Sequence, residues 1–416
     1  MNGLPSLEGV RQAATVLDGI ALTSPFQKNE RLSEHHQAAV FVKREDLQLV
    51  RSFKIRGAFN KINSLLASQR ERGIVCASAG NHAQGFAYAC KKLKIKGKVF
   101  MPSPTPKQKV AQVKMFGGGY VEIILTGDTY DDSQDTALAY STKNNVEFIH
   151  PFDDAKVIEG QATIALEMIA QAEKPLDYVF VPIGGGGLIS GILTVFNTLS
   201  PTTTVVGVEP SGARSMQTAL EQGERVILNE IDRFVDGAAV KCVGALPFSI
   251  CQLHLKKLVA VPEGKICQTI LELYNKEGVV AEPAGALPLA AIDKCSIDLK
   301  GKQVGVILCG GNNDITRTPE IKERALFYAQ LKHYFVIRFP QRPGALKEFV
   351  TDILGPEDDI TFFEFSKKTS REKAPAIVGI ELKNADDLHP LIDRMKKFNF
   401  YGDYINDKPD LFQFLI

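Results

Sequence analysis

The sequence predicts an α/β protein built on parallel sheet, followed by a smaller βαββαβ module. Three features predict it. Short apolar, β-branched runs recur through the first three quarters of the chain, amphipathic stretches separate them, and the pattern changes after a charged segment at 317–331. Runs this short, apolar on both faces and closed by Gly, Pro or Ser, suit strands covered on both sides by helices. Their alternation with helical stretches implies βαβ units.

In chain order the strand runs are 73–77, 97–101, 120–125, 178–182, 204–208 and 303–308, and the clearest intervening helices are 84–93, 106–116 and 131–143. The charged, helix-prone stretch 317–331 overlaps the expected connector, 326–332. Beyond it 333–339 alternates as a strand, 340–346 turns and 347–354 is a short helix. Two alternating strands, 359–367 and 374–382, a helix at 386–397 and a last extended piece complete about 80 residues, the size of one ferredoxin-like module. The expected division is therefore a first domain over 1–325 and a second over 333–416.

Composition narrows the function. The chain has 416 residues with Lys+Arg 49 and Asp+Glu 48, a net charge of +1. That balance argues against nucleic acid or a membrane surface as the main partner, since both draw on a basic excess. Hydrophobic residues at 44% and charged residues at 23% fit a globular protein. Seven cysteines without a CxxC pair fit neither a disulfide framework nor a zinc ribbon. The first twenty residues lack the pattern of a secretory signal, and no run of about 18 apolar residues suggests a membrane span. A cytoplasmic location is expected.

In α/β sheets ligands sit beyond the carboxyl ends of the strands, so the loops after strands carry the chemistry. Ala77-Ser-Ala-Gly-Asn-His-Ala-Gln-Gly85 follows the first strand. Its small residues let backbone N–H groups, Ser78 and Asn81 approach an anion at a helix start. Val181-Pro-Ile-Gly-Gly-Gly-Gly-Leu188 follows another strand. Four glycines in a row are conformationally costly unless the backbone must wrap something closely, and a phosphate at a helix N-terminus is the usual object. Without GxGxxG or a Walker lysine, dinucleotides and NTPs are weak readings. Val306-Ile-Leu-Cys-Gly-Gly-Asn-Asn-Asp314 places Cys309 at a third strand end, where a buried apolar filler is the plain alternative. In Val50-Arg-Ser-Phe-Lys-Ile-Arg-Gly-Ala58, Lys54 sits among bulky apolar neighbours, which lower a lysine pKa and favour nucleophile or base chemistry. On this segment alone a solvated surface lysine is the simpler reading.

Together SFKIRGA, SAGNHAQG, GGGGL and CGGN, in this order, resemble the tryptophan-synthase-β-like (fold type II) pyridoxal-phosphate enzymes, and within them the biosynthetic threonine dehydratases. The resemblance implies two parallel-sheet α/β subdomains, the smaller over about 50–150, and pyridoxal 5′-phosphate bound covalently to Lys54, the catalytic residue. It further implies that Phe53 packs on the cofactor ring, that Asn81 bonds its 3′-oxygen and that Gly184, Gly185, Gly186, Gly187 and Leu188 hold the phosphate. Cys309 would face the pyridine nitrogen, and Ser78, Asn81 and His82 would contact substrate. The activity implied is elimination of water from L-threonine, with L-serine as a second substrate, giving 2-oxobutanoate and ammonia at the first step of isoleucine biosynthesis. Ala79 stands where serine racemases of the group carry a second serine, so racemisation should be poor. Glu209, Ala213 and Ser215 resemble a cation-binding turn, and an acidic strand-end turn is the plain alternative. Glu282 is expected to line the cofactor crevice, while His82 and His150 look more structural than catalytic. The C-terminal module resembles the single ACT-like regulatory domain of short-form dehydratases, implying isoleucine and valine as effectors and a homo-oligomer, expected to be a tetramer with a dimer as the alternative. A serine-preferring dehydratase, another lyase of the group and a non-catalytic amino-acid sensor remain as alternatives.

Overall fold

The computed structural model describes residues 3–366 and 373–408. The chain divides into two compact units, Met1–Ile315 and Thr316–Ile416.

The first unit begins with α1 (Leu7–Leu17), β1 (Phe26–Lys28), α2 (Glu30–His36), β2 (Ala39–Arg44), α3 (Lys54–Asn63) and α4 (Ala67–Arg72). Next come β3 (Ile74–Ala77), α5 (Asn81–Leu93), β4 (Gly97–Met101), α6 (Lys107–Gly117), β5 (Val121–Leu125), α7 (Tyr130–Asn144) and β6 (Glu147–Phe148). These strands form a small parallel sheet in the order β5-β4-β3-β6. The chain then returns through α8 (Ala155–Gln171), β7 (Tyr178–Pro182), α9 (Gly187–Leu199), β8 (Thr204–Pro210), α10 (Ser215–Gln222), α11 (Ala245–His254) and β9 (Lys257–Val261). It closes with α12 (Glu263–Glu277), α13 (Pro283–Ile292) and β10 (Gln303–Leu308). The larger sheet has six strands in the order β1-β2-β10-β7-β8-β9, parallel except for the edge strand β1. The expected strands are present. The helix after β3 starts at Asn81, three residues earlier than expected, directly from Gly80, whose carbonyl accepts the Gln84 N–H.

Helix α3 carries the SFKIRGA segment and packs against both α5 and α8. Gly57 and Gly160 let α3 and α8 meet backbone to backbone: a Cβ on Gly160 would stand 2.7 Å from the Arg56 carbonyl oxygen. Arg56 is 1% exposed and spends its donors on three segments. It bonds the Glu45 carboxylate through Nε and Nη2 at 2.8 Å each, Glu167 through Nη1 at 2.6 Å and Nη2 at 3.0 Å, and also Thr163 Oγ1 and the Leu22 carbonyl. Lys43, fully buried on β2, reaches Glu167 at 2.6 Å, so two cations face two carboxylates. Burial works against ionising Glu45, yet Arg56 and the Ser24 hydroxyl outweigh it and hold its carboxyl below the usual range. Planar, bidentate pairing is what a guanidinium does and an ammonium cannot.

The second unit runs α14 (Thr318–Tyr328), β11 (Lys332–Pro340), α15 (Ala345–Glu348) continuing into a π-helical turn at Phe349–Ile353, β12 (Asp359–Phe365), β13 (Lys373–Glu381), α16 (Leu388–Lys397) and β14 (Tyr401–Tyr404). Its antiparallel sheet has the order β12-β13-β11-β14, the ferredoxin-like arrangement expected of βαββαβ. The division between units falls after Ile315, ten residues before the expected end of the first domain at 325. The cause is α14, which belongs to the module: the Tyr334 hydroxyl on β11 donates to Glu323 of α14 at 2.7 Å. Lys367, the expected end of β12, and the last expected residues, 409–416, lie outside the described residues.

Replacing Arg56 with Leu would strip the buried Glu45 and the half-buried Glu167 of their guanidinium, leaving Lys43 as the cation beside them. The variant is expected to lose about 3–5 kcal/mol of stability, measured as a fall in its thermal midpoint. A midpoint equal to wild type would refute the structural weight given to this ion set.

Candidate active site

Three strand-to-helix turns and two helix starts converge. The turn after β3 is Ser78-Ala79-Gly80, with Asn81 opening α5, and the turn after β7 is Ile183 to Gly186, with Gly187 opening α9. β10 ends at Leu308, followed by Cys309 and two glycines. Phe53 donates its N–H to the Cys309 carbonyl at 3.1 Å, and Ser52 bridges to Gly310, so the chain just before Lys54 is an extra strand-like contact on the end of β10. The Glu282 N–H donates to the Gly310 carbonyl at 3.2 Å and brings the start of α13 to the same place.

Lys54 opens α3 and is half-buried. Its Nζ donates to the Pro151 carbonyl at 3.1 Å and lies 5.1 Å from the centroid of the Phe53 ring. Burial pulls its pKa down to about 8, against the opposing pull of Cys309 and Glu282. An amine with that pKa has a substantial unprotonated share near neutrality, the form that attacks an aldehyde or takes a proton. The same burial acts in the opposite sense on its acidic neighbours. Cys309, 2% exposed, has a thiol pKa raised well above the ordinary value, so it stays protonated. Glu282, 5% exposed, is pushed up to about 7 by burial, against the hydrogen bond that Asn81 Nδ2 donates to its Oε1 at 2.7 Å.

The tetraglycine turn explains its own composition. Gly186 has φ +92°, open to glycine and strained for other residues. A Cβ on Gly185 would stand 2.3 Å from the Phe152 ring, and one on Gly186 2.6 Å from Pro247 Cβ. The N–H groups of Gly187 and Leu188 lie in the first turn of α9, where no helical carbonyl can accept them. Those of Gly184, Gly185 and Gly186 find no main-chain acceptor among the described residues. A row of free donors at a helix N-terminus fits a phosphate. The residues present therefore suit a group that carries both an aldehyde and a phosphate.

The remaining expected residues divide. Ser78 Oγ accepts the Gly80 N–H at 3.2 Å. His82 is 3% exposed, with Nε2 against the Ile149 carbonyl at 2.9 Å; burial holds its pKa down to about 3, and its buried Nδ1 has no partner. His150 accepts the Asp153 N–H at 2.8 Å, and burial lowers it to about 4, so neither imidazole carries charge near neutrality. Glu209 and Ser215 meet at the start of α10, and Ala213 lies in the turn between them. The Glu209 carboxylate accepts the N–H groups of Met216 at 2.7 Å and Gln217 at 2.9 Å, with the Ser215 hydroxyl at 3.5 Å. Burial raises its pKa to about 7 despite these bonds.

Sequence reasoning missed three participants. Asn312, in the CGGNN stretch, donates through Nδ2 to Asn81 Oδ1 at 2.7 Å, so Asn81 is held from both ends of its amide. Phe152 walls the glycine turn and follows Pro151, whose carbonyl holds Lys54; the His150-Pro-Phe triplet at the end of the small sheet was the available signal. Arg56 stands inside the SFKIRGA motif, and its partners at 45 and 167 cannot be found by spacing.

A lysine amine, a glycine-bounded phosphate cradle and a neutral thiol on a two-sheet α/β frame define a pyridoxal-phosphate enzyme. Comparison agrees. The family described as "Pyridoxal-phosphate dependent enzyme" matches residues 18–310, and the "C-terminal regulatory domain of Threonine dehydratase" matches 323–415. The biosynthetic L-threonine dehydratase IlvA of Halalkalibacterium halodurans is 53% identical over 414 residues, 100% of both chains. That of Bacillus subtilis is 49% identical over 100% of this chain and 98% of its own. Among solved structures, the processed form of threonine deaminase isoform 2 from Solanum lycopersicum aligns with TM-score 0.71 at 36% identity, covering 78% of this chain and 96% of its own. Maize serine racemase aligns with TM-score 0.71 at 27% identity, covering 78% and 98%. The chain belongs to the biosynthetic threonine dehydratases of the pyridoxal-phosphate-dependent enzyme family.

The depressed lysine sets a pH expectation for the cofactor-free protein. Covalent uptake of pyridoxal 5′-phosphate needs unprotonated Nζ, so its rate should rise with pH and level off above about 8, not near the 10.5 of a free lysine. Stopped-flow absorbance across pH would show it; a midpoint near the free-lysine value would refute the depression.

Proposed function

We propose that the protein is a pyridoxal-phosphate-dependent L-threonine ammonia-lyase, converting L-threonine to 2-oxobutanoate and ammonia at the entry to isoleucine synthesis, with its activity set by the C-terminal module. What supports the substrate most strongly is that the similarity to biosynthetic threonine dehydratases runs the full length of the chain, module included.

Pyridoxal phosphate, when bound, supplies an electron sink that lets the α-proton of an amino acid leave as an acid. The chain supplies the rest. Lys54 Nζ would hold the coenzyme and, once free, take the α-proton, a role its pKa of about 8 suits at mildly alkaline pH. The first turn of α9 and the glycines before it would bind the phosphate. Asn81, fixed between Glu282 and Asn312, would orient the polar edge of the ring or the substrate. Cys309 would offer the ring nitrogen a neutral thiol, too weak an acid to protonate it. Ala79 has no proton to deliver on the opposite face, which favours loss of the β-hydroxyl over return of the mirror-image amino acid.

Isoleucine and valine would act through the unit Thr316–Ile416. There Gly344, at φ +83°, caps α15 and leaves its backbone open at the Arg342–Leu346 turn. The protein is read as a cytoplasmic homotetramer; no helix of the described residues is long and apolar enough to cross a membrane.

Assay of the purified holoenzyme on L-threonine tests the reading. It should release 2-oxobutanoate, respond to isoleucine, and lose at least ~10³-fold in turnover in Lys54→Ala. No 2-oxobutanoate from threonine, with turnover of serine intact, would replace threonine by serine as the substrate.

A further inference from the structure

We propose that His35, His36 and Asp293 form a binding site for one divalent ion of the zinc class, which pins the end of α2 to the end of α13. Among the described residues they are the group whose ligand atoms converge in this way, all lying within 4.8 Å of one another. His36 Nε2 stands 3.0 Å and His35 Nε2 3.9 Å from Asp293 Oδ1. Tetrahedral zinc with bonds of about 2.0–2.2 Å sets its ligand atoms about 3.3–3.5 Å apart, and the two measured spacings bracket that value. The two imidazoles stand edge to face, with ring centroids 4.7 Å apart, so their nitrogens approach the same carboxylate oxygen from different directions.

Three further observations favour an ion. His36 Nε2 is a buried atom with no hydrogen bond of acceptable geometry, although a carboxylate oxygen is its near neighbour. The second oxygen of Asp293, Oδ2, is held by Lys265 Nζ at 2.5 Å, which leaves Oδ1 turned to the histidines. Outer-sphere contacts of this kind orient a ligating carboxylate. Finally, a cavity of about 400 Å³ opens beside the three side chains, lined also by Cys295, Asp298 and Lys300, with room for a water as fourth ligand. Cys295 is not the fourth ligand, since its Sγ donates to the Ile292 carbonyl at 3.4 Å. Two imidazoles and one carboxylate suit zinc, cobalt or nickel and are poor for magnesium or calcium.

The site lies away from the active-site crevice. Gly301 N–H bonds the Gln37 carbonyl and Ala39 N–H bonds the Lys302 carbonyl, so the histidines and Asp293 sit at the edge where β2 and β10 begin, while Cys309 follows the end of β10. The ion's effect is therefore on stability: a ligand that binds only the folded chain raises its stability with concentration.

The holoenzyme, freed of metal by chelator and dialysis, is titrated with Zn²⁺ in a calorimeter and with Co²⁺ by visible spectroscopy, and its thermal midpoint is read with and without Zn²⁺. Wild type should take up one equivalent, show a tetrahedral cobalt band and gain in midpoint. His35→Ala, at a position whose side chain is 68% exposed, should fold normally, keep its threonine turnover, lose about tenfold or more in affinity and lose the midpoint gain. His36→Ala and Asp293→Asn should abolish uptake. Failure of wild type to bind Zn²⁺, or binding by His35→Ala equal to wild type, overturns the proposal, and neither result bears on the reaction catalysed.

Discussion

The active site depends on a guanidinium that never touches it. Arg56 lies two residues beyond Lys54 on the same helix, and its side chain is bonded to Glu45, from the segment following β2, and to Glu167, on α8. Each carboxylate comes from a different part of the chain, and Lys43 balances the charge. Buried ion sets of this kind contribute little net stability compared with apolar packing; what they impose is geometry. Here the geometry imposed is the direction from which the first turn of α3 enters the crevice.

Above that anchor, a single physical cause, removal from water, gives each group its protonation state. It lowers Lys54 toward a free amine, raises Cys309 to a permanent thiol and leaves Glu282 near its midpoint at neutral pH. At neutral pH an amine with a pKa of about 8 is still mostly ammonium, so Lys54 adds positive charge to the unpaired N–H groups of the glycine turn. A dianionic phosphate meets donors rather than competing anions there. Asn81, clasped by Glu282 and Asn312, shows how the small sheet is tied to the larger one through polar contacts at their facing tips.

The division into strands and helices was legible because burial on both faces leaves an apolar signature, as in Ile74–Ala77, where every residue is buried. The glycine turn and Lys54 were legible as well, since four glycines and an apolar-flanked lysine are costly without a reason. Partners distant in sequence were not. Glu167 follows Arg56 by 111 positions and Asn312 follows Asn81 by 231, and nothing in local patterning links them. The two units divide ten residues before the expected 325, because α14, which reads as a charged linker, is attached to β11 through Glu323 and Tyr334, a pairing visible only once folded. At the expected cation turn Glu209 and Ser215 come together, and the Glu209 carboxylate also accepts N–H groups at the start of α10, a contact no local pattern shows.

The cysteine at the end of β10 has a consequence beyond the chemistry of the ring. Peroxides and mixed disulfides react with the thiolate, and burial keeps Cys309 in the other form. A sulfur atom can therefore occupy the heart of this crevice without making the enzyme a sensor of oxidative stress. The chain can use a thiol where a hydroxyl would also serve, at no cost in redox vulnerability while the fold stays closed around it.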